Sequence, residues 1–383
     1  MLVPIAFVFI ALPLVSPPVA ELKVATTRSL VTLQVAVTML VDYKLHLGQR
    51  PEETTAEYSQ RKSELHLRAA TTLLTGLRRN GGIYVKLGQH LSALVYLLPV
   101  EYTDTLRVLQ SEAPRSSLAQ VQQVFREDWG GSFEDYFSSF DPEPLGSASL
   151  AQVHRATVKG SGQEVAVKVQ HEGLDRFAAG DIKTVALAVK AIKYFFPELD
   201  FDWLADELRT NLPLEMDFVN EGRNAARAAR NFGLGGGSSS VVIPAVYWPL
   251  TSHRILTMEF TPGRPVTDTE YLQQHGINQD HVAVAVTQVF AEMIFCHGFV
   301  HADPHGGNIF VRPKQGGRPG DFELVLLDHG LYREVERDVR LHYAGLWEAI
   351  ISGNEKGINL HSHALGAGHL YQLFSTMLTS RLW

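Results

Sequence analysis

The chain has almost no cysteine. Cys296 is the single one in 383 residues, so an intrachain disulfide framework is excluded and the composition suits a reducing compartment. A surplus of positive charge is also missing. Lys and Arg number 34 against 41 Asp and Glu, a net charge of −7, and without a basic excess nothing favours nucleic acid as a partner. There is no internal repeat and no His-Glu-x-x-His helix, which removes the commonest zinc signature. Charge is missing at the start as well. Glu21 is the first charged residue, whereas a secretory signal normally opens on a basic region.

What is present is a globular balance, 45% hydrophobic and 20% charged, with room for some membrane-facing surface. The length allows two or three domain-sized units around a large core. The opening MLVPIAFVFIALPLVSPPVA is apolar for twenty residues, but its four prolines argue against a regular spanning helix. A second apolar stretch, residues 29–41, is 13 residues long and too short to cross a bilayer by itself. A signal peptide, a membrane anchor and a wrongly assigned gene start are the alternatives. Residues 1–41 are expected to anchor or target the chain.

Residues 60–98 read as helical around a Gly81-Gly82 break, and Leu118–Trp129 reads as a short amphipathic helix. From Pro144 the period changes. LAQVHRATV (150–158) and EVAVKVQ (164–170) read as strands joined by the hairpin signal KGSG. Residues 174–196 and 201–231 read as helices, and LGGGSSS (234–240) as a linker or loop tip. VVIPAVYW and RILTMEF read as strands, 281–297 as a helix, and FELVLLD (322–328) as a buried strand. In that order, with a lysine on the second strand and an Asp-x-Gly after the last, the elements predict an α+β, two-lobed, protein-kinase-like fold.

Lys168 closes VAVK. On a strand beside a nucleotide, such a lysine neutralises phosphates and must itself be held by a carboxylate; an edge-strand lysine in water is the plain alternative. Candidate carboxylates are Glu215, Asp217 and Glu221 in LPLEMDFVNEGRNAAR. They are flanked by Leu212, Leu214, Met216 and Phe218, which favours a partly buried role over a solvated face. In HADPHGGNIF (301–310), Asp303 precedes Asn308 by five residues. That is the spacing of a catalytic aspartate, which orients or deprotonates a hydroxyl, and an asparagine whose carbonyl oxygen holds Mg²⁺. Pro304 biases Asp303 toward extended backbone. Asp328, at the end of an apolar strand with Gly330 free to turn, is a ready Mg²⁺ ligand. Each aspartate alone reads equally as a turn cap; three such spacings in the right order do not. His301, His305, His361, His363 and His369 offer a metal-by-histidine reading, placed well below Mg²⁺.

These segments resemble the UbiB / aarF-domain-containing family of atypical kinases, most of all its mitochondrial animal branch. The matching segments are KLGQ (86–89), GSASLAQVH (146–154), VAVK (165–168), LEMDF with NEGRN (214–224), HADPHGGN (301–308) and LLDHG (326–330). The resemblance runs from about residue 60 to the C-terminus. It implies ATP and Mg²⁺ as cofactors, with Asp303, Lys168 and Glu215 as the catalytic set and Asn308 and Asp328 on the metal. Ser147, Ala148, Ser149, Lys168 and Glu259 would contact nucleotide. Lys86 and Gln89, on a helical extension folded over the active site, would regulate together with Glu221. It further implies mitochondrial, membrane-associated, lipid- or quinone-linked work, with ATP hydrolysis in place of routine protein phosphorylation.

The domain expectation is an apolar segment (1–59), a helical extension (60–140), an N-lobe (141–260) and a C-lobe (261–383). Three departures from the family pattern stand out. His305-Gly306-Gly307-Asn308 lacks the usual proline, Gly146-Ser147 opens a loop normally richer in alanine, and Asp328-His329-Gly330 replaces Asp-Phe-Gly. The 55 residues after Asp328 are short for a helical C-lobe and suggest a truncated gene model or fragment. The expected function is phosphoryl chemistry on Mg²⁺–ATP, by hydrolysis or by transfer to a small or lipid molecule. The alternative is a silent pseudokinase that binds nucleotide and scaffolds a membrane complex.

Overall fold

The computed structural model describes residues 19–95, 97–110, 114–197, 201–234 and 241–379. Most of the apolar opening and most of the glycine-serine stretch lie outside them. The chain forms two compact units. One holds the residues up to Arg115 with Ser147–Leu150 and His171–Thr210; the other holds Ser116–Gly146, Ala151–Gln170 and everything from Asn211.

The first unit is built of helices, chiefly Val19–His46, Thr55–Asn80, Ile83–Ala93, Val100–Leu106 and Leu174–Phe195. Thr54 and Glu57 form a reciprocal capping box at the start of the second. Gly81 and Gly82, both at positive φ, break it from the third. The apolar stretch at residues 29–41 lies inside the helix Val19–His46, which runs for 28 residues. Thr26, Thr27 and Thr32 return their hydroxyls to the carbonyls of Leu22, Lys23 and Arg28, so these polar residues do not end the helix. Arg28 is absorbed by a buried network. Its Nε and Nη2 donate to Asp181 at 3.0 and 2.6 Å, and Nη1 donates to the Asn80 carbonyl. Asn80 returns a bond to the Arg28 carbonyl, and Thr32 meets the Tyr84 hydroxyl at 2.9 Å. Where Val35 seats against Gly76, a Cβ would lie 2.4 Å from its methyl.

The strands of the described residues lie in the second unit, except that Ser147, which ends one of them, belongs to the first. They are β1 (Phe137–Phe140), β2 (Gly146–Ser147), β3 (Ala151–Val158), β4 (Glu164–Gln170), β5 (Val241–Val242), β6 (Ile255–Glu259), β7 (Arg264–Pro265), β8 (Phe299–His301), β9 (Ile309–Pro313), β10 (Phe322–Leu326) and β11 (Tyr332–Glu334). An antiparallel sheet runs β1-β3-β4-β6, a second sheet β5-β10-β9-β7, and β8 pairs β11. Period-two alternation on β4 turns Val165, Val167 and Val169 into an aromatic core with Phe125, Phe133 and Phe137. The helices Gln279–Ala291, Arg337–Ser352, Glu355–Ala364 and Tyr371–Thr379 follow in the C-terminal part. The arrangement is the α+β, kinase-like one expected, with helices at the N-terminal side.

Three elements differ from the sequence reading. The helix expected over 201–231 is two, Asp202–Glu215 and Phe218–Leu234, because Asp217 Oδ1 accepts from the amides of Val219 and Asn220 and starts a new helix. The helix over 281–297 changes at Ala291 into one π-helical turn, Glu292–His297. In VVIPAVYW only Val241–Val242 is a strand; Pro244 has no amide to continue a ladder.

A buried histidine in the first sheet makes stability pH-dependent. His154 Nδ1 donates to the Asp141 carbonyl at 2.7 Å, so Nε2 accepts from Gln152 Nε2 at 2.8 Å. Burial holds its pKa below the ordinary value. The unfolded chain therefore takes up a proton that the folded one refuses. The contribution is whole above about pH 6.5, the ordinary histidine value, and is lost as pH falls below it. The gap in urea midpoint between wild type and His154→Phe should narrow from pH 7.5 to pH 5. A constant gap would show that this ring is not held neutral.

Candidate functional site

Alternation on β4 places Lys168 on the face opposite the three core valines. There its Nζ lies 5.1 Å from the centroid of the Phe218 ring. Glu221 lies one turn into the helix that Asp217 starts. Its oxygens accept from Lys168 Nζ at 2.7 and 2.9 Å, and Asp328 Oδ2 stands 3.5 Å from the same nitrogen. The Glu221 side chain is 1% exposed and that of Lys168 14%. Burial works against the ammonium form, but Asp328 and then Glu221 outweigh it and hold the Lys168 pKa above its ordinary value. Burial pushes Glu221 up to about 7, against the pull of Lys168. One cation thus faces two carboxylates in a low-dielectric pocket.

The carboxylate bonded to Lys168 is therefore Glu221, not Glu215. Glu215 ends the preceding helix, with its Cα 3.9 Å from where a Cβ on Gly330 would be. The helix break at Asp217 sets the difference. Asp217 itself spends Oδ1 on the cap and on a 2.8 Å contact with His253 Nδ1.

Asp303 and Asn308 are fixed through backbone. The Asp303 amide donates to His301 Nδ1 at 3.1 Å, so His301 Nε2 must donate to the Asp328 carbonyl at 2.6 Å. Asn308 Nδ2 donates to the Asp303 carbonyl at 3.2 Å, which directs its amide nitrogen away and leaves the carbonyl oxygen for another partner. The Leu327 amide donates to the Asn308 carbonyl at 3.1 Å, and Asp328 Oδ1 accepts from the Gly330 amide at 2.9 Å. Gly306 has its own reason in this loop. A Cβ there would lie 2.8 Å from the Thr267 methyl, so Thr267 occupies the room that a proline ring would need.

Lys168, Glu221 and Asp328 meet directly, and His301 ties Asp303 to Asp328. Glu259 is exposed at the end of β6, its amide donating to the Ala245 carbonyl at 2.8 Å. Just beyond it, Thr261 Oγ1 is buried without a protein partner. Ser147, Ala148 and Ser149 belong to the other unit. There Ser147 Oγ donates to the Pro114 carbonyl, the Ala148 carbonyl accepts from His171 Nε2 at 2.9 Å, and Ser149 is buried. Lys86 and Gln89 share that unit. Gln89 Nε2 donates to the Leu109 carbonyl at 2.9 Å, and a Cβ on Gly88 would lie 2.2 Å from Leu109.

The sequence reading left the lysine's partner open among Glu215, Asp217 and Glu221, did not single out His301 from the loop histidines as the connector, and did not name Thr261. The only available signal for His301 was its place two residues before Asp303. Asp328 and Asn308 offer hard oxygen donors, the chemistry Mg²⁺ takes. Among the described residues no group of three or more His, Cys, Asp or Glu side chains gathers at one point.

A sequence model described as the ABC1 atypical kinase-like domain matches residues 108–362. AarF domain-containing protein kinase 1 of Mus musculus is 45% identical, covering 91% of this chain and 66% of the mouse protein. Its namesake in Xenopus tropicalis is 46% identical, covering 86% and 62%. A putative ABC1 protein of Arabidopsis thaliana is 41% identical, covering 96% and 70%. The chain spans less than two thirds of the vertebrate relatives' length.

Removing the carboxylate that Lys168 uses should be felt in stability. Glu221→Gln is expected to cost about 1.5–3 kcal/mol, the usual worth of a hydrogen bond to a charged group, read as a drop in urea midpoint. A larger loss from Glu215→Gln than from Glu221→Gln would overturn the pairing.

Proposed function

The chain belongs to the ABC1 atypical kinase-like family, and from that premise we propose that it binds Mg²⁺–ATP and hydrolyses it or transfers its phosphoryl group to a small or lipid molecule. The observation that carries this reading is Lys168 held between Glu221 and Asp328, with Asp303 tied to Asp328 through His301. In this assignment Lys168 neutralises nucleotide phosphates. Asp303 orients or deprotonates the attacking hydroxyl or water. Asn308 and Asp328 hold the cation, which would supply charge neutralisation at the phosphates. Glu221 keeps Lys168 charged and aimed, and so takes the place first given to Glu215. Ser147, Ala148 and Ser149 would cover phosphates with a stiffer backbone than glycines would give, and Glu259 would contact the nucleotide. Residues 141–260 and 261–383 serve as the two lobes. Lys86 and Gln89 on the extension (60–140) restrict access, which favours hydrolysis or a small acceptor over a protein.

We also propose mitochondrial, membrane-associated work linked to lipid or quinone metabolism. Supporting this is the one helix among the described residues long and apolar enough to cross a membrane by length and composition, Glu21–His46. Its apolar side chains Leu30, Leu33, Val37 and Val41 are exposed, and at 100° per residue they lie opposite Arg28, Val31 and Val35. With Arg28 embedded in the helical unit, this helix meets a membrane by its outer stripe. Deleting residues 1–41 would remove Arg28 as well, so substitution is the cleaner test. Leu33→Lys with Val37→Lys should move the protein from the liposome-bound to the free fraction at unchanged melting temperature. Undiminished binding would assign the membrane contact elsewhere.

Asp303 and the metal residues should fail differently. Asp303→Asn should lower turnover by roughly 10²–10⁴-fold, the usual worth of a positioned acid or base, and spare Mg²⁺–nucleotide binding. Asn308→Ala and Asp328→Asn should weaken that binding itself. The reverse pattern would exchange the roles of the two aspartates. No effect from any of the three would make the loop structural and leave a nucleotide-binding scaffold.

A further inference from the structure

Between β10 and β11 the chain turns through Asp328, His329 and Gly330. The middle residue is buried, 3% exposed, and a buried polar ring must satisfy its nitrogens. His329 Nε2 lies 3.1 Å from the Leu326 carbonyl, which can only accept, so Nε2 carries the proton. Nδ1 is then an acceptor, and the Tyr332 hydroxyl donates to it at 2.9 Å. One tautomer fits both partners. The two rings lie nearly parallel, 9° apart.

Tyr332 is itself held hard. Its ring stacks on Phe299 at 4.2 Å, and it pairs with His301 in the β8–β11 ladder. From the other side, Asn224 Nδ2 donates to the His329 carbonyl at 2.9 Å, on the same helix as Glu221. The residue next to Asp328 is thus tied to three elements, and the tie to β11 is a single hydroxyl.

We propose that Tyr332 is a positioning residue for the metal carboxylate: its hydroxyl, through His329, latches the turn in the form that aims Asp328 at Lys168. A phenylalanine at 329 would fill the same space by apolar contact alone, with no directional bond to β11. The histidine converts the hold on this turn into a directional hydrogen bond. The proposal rests on the reading of Asp328 as an Mg²⁺ ligand.

The test is a double-mutant cycle of Tyr332→Phe and His329→Phe, read by Mg²⁺ titration of nucleotide binding and by melting temperature. Tyr332→Phe alone should raise the Mg²⁺ concentration for half-maximal binding by roughly 10–100-fold, the usual effect of losing a partner behind a metal ligand. Added to His329→Phe it should change that concentration little, because the hydroxyl then has no nitrogen to hold. Equal shifts in both backgrounds, or a drop in melting temperature with no change in Mg²⁺ dependence, would overturn the latch. Nitrogen-15 NMR of the His329 ring in the unaltered protein should show a protonated Nε2 and a bare Nδ1. A protonated Nδ1 would also overturn it, whether or not the variants fold. Binding that needs Asp328 but ignores Tyr332 sinks the latch alone. Wild type without Mg²⁺-dependent binding sinks the metal reading and the latch together.

Discussion

A lysine ammonium group enclosed between two carboxylates is the constraint on which the second unit's site depends. An unpaired ammonium ion in the interior would cost several kcal/mol even after relaxation, so Lys168 stays charged only where Glu221 and Asp328 both reach it. Three separate pieces of chain must therefore agree. The strand must alternate with Lys168 off the valine face. The helix must restart at Asp217 so that Glu221 comes round to it. The turn after β10 must present Asp328. Burial, with a smaller push from Asp328, raises Glu221 to about 7.

Histidines do the joining around that centre. His301 spans from the Asp303 amide to the Asp328 carbonyl, and His329 spans from Leu326 to Tyr332. Each ring accepts on one nitrogen and donates on the other, so His301 spaces two backbone segments and His329 joins a backbone carbonyl to a side-chain hydroxyl. This accounts for the polar residues in an otherwise apolar stretch. They are the means by which a loop of irregular backbone is satisfied inside a core.

The helical unit shows a different compromise. Val19–His46 is apolar along one side and yet carries Arg28, with Asp181 153 residues away as its partner. A helix free to cross a bilayer has no use for that bond. A helix forming the wall of a folded unit does, while Leu30, Leu33, Val37 and Val41 stay exposed on its opposite face.

Much of the site was legible because it is local. VAVK on an alternating strand, Asp303 with Asn308 in one loop, and Asp-x-Gly after an apolar run each lie within a few residues, where spacing and periodicity act directly. The order of elements followed for the same reason, as did the Gly81-Gly82 break. The sequence by itself thus determined the fold class, and it singled out the lysine, the two aspartates and the asparagine as candidates. It could not choose among Glu215, Asp217 and Glu221, since the choice turns on a helix restart that Asp217 makes together with His253 from another segment. Nor could it show that the apolar stretch at 29–41 sits inside a longer helix held by Asp181, that Thr267 needs a glycine at 306, or which nitrogen of His301 and His329 carries the proton. Those were decided by the tertiary structure alone. Each depends on a partner distant in the chain, and the energy of a buried charge or a buried imidazole is set by what surrounds it rather than by its neighbours in sequence.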